Sequence, residues 1–272
     1  MAKKRVKNFN KLKDKVDVEL LFRLLNTVGV SGSENNIREL VMEAIKPYVY
    51  EIKIDKFGNL ICRERGLVKK PRVMLSAHMD EVGLIVKHIH KSGRLEVSAL
   101  GGIDPLYLVG QSVAIDLKRK GLIRGIISSK ELSTGIRAEE IPRIQDLFVD
   151  TGLSKEKLNN LGVDVGTYMT YGPNASFLGS NRVIFGKSVD DRVGCFILIE
   201  LAKRLSKSKH EVIYVFTVQE EIGLFGAKTS AYNVKPDWGI AVDVADAEDF
   251  GDDPVVMLGG GPVLTLRDFV FF

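Results

Sequence analysis

Residues 211–244 read EVIYVFTVQEEIGLFGAKTSAYNVKPDWGIAVDV, and the pattern predicts a strand, an acidic turn, a helix and a second strand. The runs 212–218 and 238–242 are apolar and β-branched, with the length of buried strands. The carboxylates that follow these two runs are Glu220, Glu221 and Asp243. Two buried strands that each end on carboxylates predict an α/β sheet with a site at the carboxyl ends of its strands. Because burying a free carboxylate is costly, these acids should have partners elsewhere in the chain.

The composition is that of an ordinary soluble globular protein, with 45% hydrophobic and 27% charged residues in a chain of 272. The net charge is +4, and the first fifteen residues are basic. We interpret this start as a solvated tail or helix face rather than a nucleic-acid contact. There is no apolar run of about 18 residues that could cross a membrane. Cys62 and Cys195 lie far apart in apolar contexts, which predicts buried thiols and a reducing, cytoplasmic location.

The amino-terminal part predicts two helices and a hairpin. Residues 18–28 have helical apolar spacing and stop at a glycine. Ser31 and Glu34 have the spacing of a capping box, which predicts the start of a second helix. Alternation over 51–55 and 59–63 predicts a hairpin.

A short buried strand over residues 72–77 runs into His78, and Asp80 follows two residues later. One interpretation is a strand end that happens to be polar. The other is a metal-ligating His78 whose second imidazole N–H is accepted by Asp80, which would fix the tautomer. The H-x-D pattern by itself is weak evidence for the metal-ligand interpretation.

Residues 83–177 change in character and predict an inserted all-β module of barrel or sandwich type. The predicted strands cover residues 83–88, 94–98, 112–117, 121–127, 146–149 and 168–171. The module would interrupt an α/β domain formed by residues 1–82 and 178–272. His88 and His90 lie on an alternating strand of the module, and we interpret them as surface or lining residues rather than ligands.

The sequence returns to an α/β pattern at GKSVDDRVG, residues 186–194. Asp190 and Asp191 precede a predicted helix over 193–205. Acids at a helix start are favourable for the helix dipole, which would account for one of them. Two adjacent acids facing the ends of the strands indicate a further role.

The groups expected at the strand ends combine one histidine with carboxylates. They are His78, Asp190, Glu220, Glu221 and Asp243. A His/carboxylate set without cysteine suits a hydrolytic pair of divalent metals. In such a site one carboxylate bridges both ions, and a neighbouring carboxylate that binds neither can act as general base on the water.

Four motifs resemble the tetrahedral (TET-type) metallo-aminopeptidases, a family that includes glutamyl and deblocking aminopeptidases and proteins labelled endoglucanase M or cellulase M. They are SAHMDE at 76–81, GKSVDDRVG at 186–194, VQEEIG at 218–223 and VDV at 242–244. The resemblance covers essentially the whole chain. It implies a zinc-peptidase α/β sandwich with an inserted PDZ-like β-barrel for dimerisation, and dimers that assemble into hollow dodecamers.

The resemblance also implies a role for each site residue. Each subunit would bind two divalent ions, zinc or cobalt. His78, Asp190 and Asp243 would hold one ion, and Asp190 and Glu221 would hold the other. Glu220 would be the general base, and Asp80 would orient His78. The implied activity is the removal of N-terminal residues from short peptides.

One departure from the family pattern concerns the second metal. The family takes a histidine from a late strand, whereas none of the four histidines here follows Asp243. We therefore expect a chain shortened relative to the family, with an uncovered apolar end at 269–272 and weak occupancy of the ion at Glu221. This leaves a non-catalytic scaffold or peptide-binding member as an alternative to the aminopeptidase. A glycoside hydrolase using paired carboxylates is a third possibility.

Overall fold

The computed structural model describes residues 16–66, 68–133, 141–179, 182–205, 209–247 and 256–265. The basic start and the apolar residues 269–272 lie outside this part of the chain. The described strands form a five-stranded sheet, a closed six-stranded barrel and a small two-stranded ribbon. None of the described helices is long and apolar enough to span a membrane.

The elements alternate between the two units along the chain. The helices are α1 (Val18–Asn26), α2 (Asn35–Ile45), α3 (Lys130–Ser133), α4 (Lys155–Leu161), α5 (Val189–Leu205) and α6 (Phe225–Val234). The strands are β1 (Glu51–Ile54), β2 (Leu60–Arg63), β3 (Val68–His78), β4 (Gly83–Ile89), β5 (Leu95–Leu100), β6 (Ser112–Asp116), β7 (Leu122–Ser129), β8 (Leu147–Asp150), β9 (Tyr168–Tyr171), β10 (Ser176–Phe177), β11 (Ile184–Phe185), β12 (His210–Thr217) and β13 (Trp238–Ala241).

The five-stranded sheet has the order β1-β2-β12-β3-β13. The predicted hairpin is present as antiparallel β1 and β2, and β2 also pairs antiparallel with β12. The strands β12, β3 and β13 are parallel, with Thr217 opposite His78 and Ala241 opposite Ser76. Their carboxyl ends therefore meet at one edge of the sheet, where open α/β sheets bind ligands.

The two faces of the sheet are covered by different helices, because successive strand residues point to opposite sides. Tyr214 and Phe216 belong to the large core formed with α1, α2 and α5. Ile213 and Val215 face the other way and join a smaller cluster with Val234 of α6. This layering agrees with the α/β class predicted from the sequence.

The inserted module is a closed barrel with the order β4-β5-β8-β7-β6-β9, which decides between the barrel and sandwich alternatives. Its interior is filled by apolar side chains from alternate strand positions, among them Leu84, Val86, Leu95, Val97, Val113 and Ile115. Closure pairs every strand on both sides, so the barrel leaves no free strand edge. The barrel strands run from Gly83 to Tyr171, inside the predicted insertion.

Two predictions of local structure are wrong. The run 238–242 is not a buried strand: Trp238 is 66% and Ile240 is 52% exposed. Within the described part of the chain β13 pairs only with β3, so it lies at the edge of the sheet. The capping box of Ser31 and Glu34 is not formed either, since Glu34 is the N-cap residue of α2 and makes no side-chain capping bond. Both side chains are engaged at the sheet edge instead.

Candidate metal centre

His78 is the last residue of β3 and brings a buried imidazole to the sheet edge. Its Nε2 lies 2.8 Å from Oδ1 of Asp190. Its Nδ1 lies 3.2 Å from the backbone oxygen of Asp80 and 3.5 Å from Oδ1 of the same residue. Asp80 thus contacts the second ring nitrogen through its carbonyl and, at the limit of a hydrogen bond, through its carboxylate.

The two adjacent aspartates at the start of α5 separate into different environments. Both have backbone angles outside the helical region, so their side chains diverge. Asp191 is buried and accepts bonds from the backbone N–H of His78 and of Gly194. The Asp190 side chain is 54% exposed and faces the imidazole of His78. The helix-start interpretation therefore accounts for the bond from Gly194 to Asp191, but not for the position of Asp190 beside His78.

Asp243 follows β13 and completes a group of three. His78, Asp190 and Asp243 each offer a ligand atom, and these atoms all lie within 4.8 Å of one another. Oδ1 of Asp243 is 3.9 Å from Nε2 of His78. Imidazole nitrogen and carboxylate oxygen are donors that suit zinc and similar divalent ions. Residues from β3, α5 and the end of β13 thus fit a divalent cation.

The two glutamates after β12 lie beside this group. Oε2 of Glu220 is 4.0 Å from Nε2 of His78. Glu221 lies outside the three-residue group but lines, with Asp190, a cavity of about 370 Å³. Val82 and Tyr171 from the barrel side line the same cavity. The site therefore opens towards the junction of the sheet and the barrel.

The pKa values reflect the crowding of carboxylates around one imidazole. Burial would lower the pKa of His78, but hydrogen bonds to Asp190 and Asp80 raise it to about 11. Burial, followed by the charge of Asp190, raises the pKa of Glu221 to about 7. Burial also raises the pKa of Glu220, to which the nearby carboxylates contribute. A bound cation would balance such an excess of negative charge, in agreement with the donor set.

The hydrogen-bond network around Asp80 was not predicted from the sequence. Its buried carboxylate accepts the hydroxyl of Ser31 at 2.6 Å and the backbone N–H groups of Glu220 and Glu221 at 3.0 and 3.2 Å. Glu34 accepts the N–H of the preceding Gln219 at 3.2 Å. Ser31 and Glu34 were the available sequence signal for this network, but their spacing was interpreted as a helix cap.

A second buried network at the same edge is centred on Glu81. Lys187 Nζ donates to both carboxylate oxygens of Glu81, at 2.8 and 2.7 Å, and Ser188 donates at 2.6 Å. Thr170 of β9 also donates to Glu81, at 2.9 Å. Burial would raise the pKa of Glu81, but the charges of Lys187 and Arg192 lower it. This network joins the barrel to the start of α5.

His88 and His90 lie in the barrel, outside the group of three. Their rings contact edge to face, and Nε2 of His90 is 2.9 Å from Oε1 of Glu96.

The chain is an α/β protein with a mixed sheet beside a closed barrel. A cluster of one histidine and two carboxylates at the ends of the parallel strands forms a candidate metal site. Residues 58–271 match the M42 glutamyl aminopeptidase family. The chain belongs to this family, which confirms the resemblance seen in the motifs.

Individual relatives agree in sequence and fold. A lysyl aminopeptidase of Pyrococcus furiosus is 36% identical over 258 residues, covering 92% of this chain and 73% of the relative. A TET aminopeptidase from a marine sediment archaeon, Thaumarchaeota archaeon SCGC AB-539-E09, is 34% identical with a TM-score of 0.83, covering 90% of this chain and 70% of that one. The TET1 peptidase of Pyrococcus horikoshii, which can assemble into a tetrahedron or a large octahedral shell, is 33% identical with a TM-score of 0.74, covering 83% of this chain and 68% of that one.

Proposed function

We propose that the protein is a metal-dependent aminopeptidase that removes N-terminal residues from short peptides. The observation that carries this proposal is the convergence of His78, Asp190 and Asp243 at the sheet edge, with Glu220 beside them. Membership of the M42 family and the aminopeptidase names of its relatives support the reaction class.

The chain offers ligands for two divalent ions, zinc or cobalt. His78, Asp190 and Asp243 would hold one ion, and Asp190 would be shared with a second ion bound by Glu221. When bound, divalent ions polarise the scissile carbonyl and lower the pKa of bound water. Asp80 keeps the His78 ring oriented through its contacts with Nδ1.

Glu220 is the proposed general base. Its carboxylate lies at the edge of the cluster and is partly exposed, so it can reach a water molecule there. Burial raises its pKa towards the range in which a carboxylate can both accept and release a proton. Glu220 would take the proton of the attacking water and pass it to the nitrogen of the leaving amine.

The cavity of about 370 Å³ beside Asp190 and Glu221 is the proposed path of the peptide. It lies between the sheet edge and the barrel-side residues Val82, Gly102 and Tyr171.

Assembly is proposed to follow the TET relatives, from dimer to dodecamer. The barrel, which would be the PDZ-like dimerisation domain of residues 83–177, exposes large apolar side chains that favour association. They include Leu106, Tyr107, Leu122 and Ile126.

The test is hydrolysis of a panel of aminoacyl anilides with free amino groups, with zinc or cobalt added, in the presence and absence of a chelator. We expect chelator-sensitive cleavage, and the panel would reveal the preferred side chain. Divalent metal binding without cleavage of any substrate would instead support the non-catalytic alternative. Release of sugar from cellulose that persists with chelator would support the glycoside hydrolase.

A further inference from the structure

We propose that the loop of residues 31–34 is a positioning device that sets the turn carrying Glu220 and Glu221. The inference rests on the proposed function and deepens it, because it assigns the loop to the placement of the general base and of one metal ligand. None of the loop side chains belongs to the three-residue metal group.

The turn is held by its backbone. Three successive N–H groups each donate to a carboxylate: that of Gln219 to Glu34 at 3.2 Å, that of Glu220 to Oδ1 of Asp80 at 3.0 Å, and that of Glu221 to Oδ2 of Asp80 at 3.2 Å. Hydrogen bonds from N–H groups to an ionised acceptor are stronger than neutral ones. Two carboxylates thus fix the direction of three consecutive peptide groups.

Ser31 fixes the carboxylate that holds two of those groups. Its hydroxyl donates to Oδ2 of Asp80 at 2.6 Å, and both residues are buried. The backbone N–H of Ser31 donates to the carbonyl oxygen of Glu81 at 3.2 Å, which anchors the loop beside β3. The rotation of the Asp80 carboxylate, and so the position of the turn, depends on the loop.

The turn needs this support. Gln219 has φ +54°, in the left-handed region that is unfavourable for a residue with a side chain. Glu34 accepts the N–H of Gln219, so a hydrogen bond offsets the strain at the same residue. Gly32, with φ +90°, lets the loop turn so that its own N–H also reaches Glu34, at 2.7 Å.

Helix capping does not account for these polar residues. Glu34 is the N-cap residue of α2 but makes no side-chain capping bond, and the hydroxyl of Ser31 bonds to Asp80. A capping box would have used both side chains on the first turn of the helix. The loop therefore stabilises the turn after β12 rather than the start of α2.

The first experiment measures amide hydrogen exchange at residues 219–221 in the full chain, without substrate. Glu34→Ala removes the acceptor of the Gln219 N–H and should speed exchange there about ten-fold. Ser31→Ala leaves Asp80 in place but removes one of its hydrogen bonds, so it should speed exchange at Glu220 and Glu221 by a smaller factor. Ser33→Ala, in the same loop, is the matched control and should leave all three unchanged. Unchanged exchange in both test variants, with the fold intact, would overturn the proposal.

The second experiment measures zinc affinity by calorimetry and the kcat and KM of anilide hydrolysis. Both loop variants should lower zinc affinity or kcat by roughly 10- to 100-fold, with little change in KM. Glu34→Gln and Ser31→Thr keep an acceptor and a hydroxyl, so they should recover most of the loss, which a general folding defect would not allow. Wild-type affinity and kcat in Ser31→Ala and Glu34→Ala would contradict the positioning role.

The two proposals can fail separately. If the wild-type chain binds no divalent metal and hydrolyses no anilide, the proposed function fails, while the exchange rates at 219–221 still decide whether the loop positions the turn. If the wild type binds zinc and the loop variants match it in every readout, only the positioning proposal fails.

Discussion

The strands β12 and β13 are both predicted as buried from apolar runs, but they have different surroundings. Both are parallel to β3, and β12 is followed by Glu220 and Glu221 whereas β13 is followed by Asp243. Ile213 of β12 is fully buried, whereas Ile240 of β13 is 52% exposed. In the described structure β12 lies between β2 and β3, while β13 pairs with β3 alone. An apolar run therefore predicts a strand, but its burial depends on what packs around it.

The acids at the two strand ends differ in the same way. The turn with Glu220 and Glu221 is fixed by carboxylates that accept its backbone N–H groups. Asp243 has a side chain that is 47% exposed, and it accepts the N–H of the next residue, Val244. We infer that the end of β12 carries the proton transfer, which demands a fixed geometry, and that Asp243 contributes a ligand.

The largest effect, on catalysis and metal binding, should come from replacing the acid after each strand by its amide. Glu220→Gln should lower kcat by about 10² to 10⁴, the range typical for loss of a general base, while zinc affinity is retained. Asp243→Asn should instead weaken zinc binding, because it removes a charged ligand. Steady-state kinetics at saturating metal and calorimetry measure the two. Near wild-type turnover in Glu220→Gln would refute its assignment as base.

The contrast in burial can be tested with the same substitution in both strands. Ile213→Ala should lower the free energy of unfolding by about 2–5 kcal/mol, because it leaves a cavity in a closely packed interior. Ile240→Ala should change it by no more than about 0.5 kcal/mol, as expected at an exposed position. Urea unfolding of the two variants measures both values. Equal losses would mean that β13 is covered in solution.

The difference between a fixed and an exposed acid should also appear in stability. Asp80→Ala leaves the buried donors around it without their acceptor and should cost about 1–3 kcal/mol. Asp243→Ala should cost less than about 0.5 kcal/mol, since its side chain is half exposed. Thermal unfolding in the presence of chelator separates these costs from metal binding. A larger loss for Asp243→Ala would reverse the comparison.

The smallest effect concerns the pH dependence of stability at Glu81. This residue follows β3, the strand that lies between β12 and β13. The charges of Lys187 and Arg192 outweigh burial and hold the pKa of Glu81 below its ordinary value of 4.5. A lowered carboxyl pKa contributes stability that is present above pH 4.5 and lost as the pH falls through the folded pKa. Unfolding free energy should therefore fall in acid, and less steeply in Glu81→Gln. Glu43→Gln, at an exposed position of α2, is the control and should keep the wild-type slope; the same slope in Glu81→Gln and wild type would contradict this prediction.

Much of the architecture follows from local pattern. The hairpin, the barrel strands, β3 and β12 are predictable because strand alternation and apolar runs are properties of a few consecutive residues. Glu220 and Glu221 are predictable too, since a carboxylate directly after a buried strand is costly unless it has a partner. The exposure of β13 could not be predicted, because a strand's sequence does not specify its neighbours.

The sequence by itself determined the elements, the α/β class and the chemical types of the site residues, because backbone preference, hydrophobic period and side-chain chemistry are local. Only the tertiary structure decided which groups meet. Asp190 and Asp191 are adjacent in sequence, yet one faces the imidazole of His78 and the other is buried against its backbone N–H. Ser31 and Glu34 have the spacing of a helix cap, yet they bond to Asp80 and to the turn after β12. Hydrogen bonds between residues far apart in the chain depend on how the elements pack, and packing is a property of the whole fold.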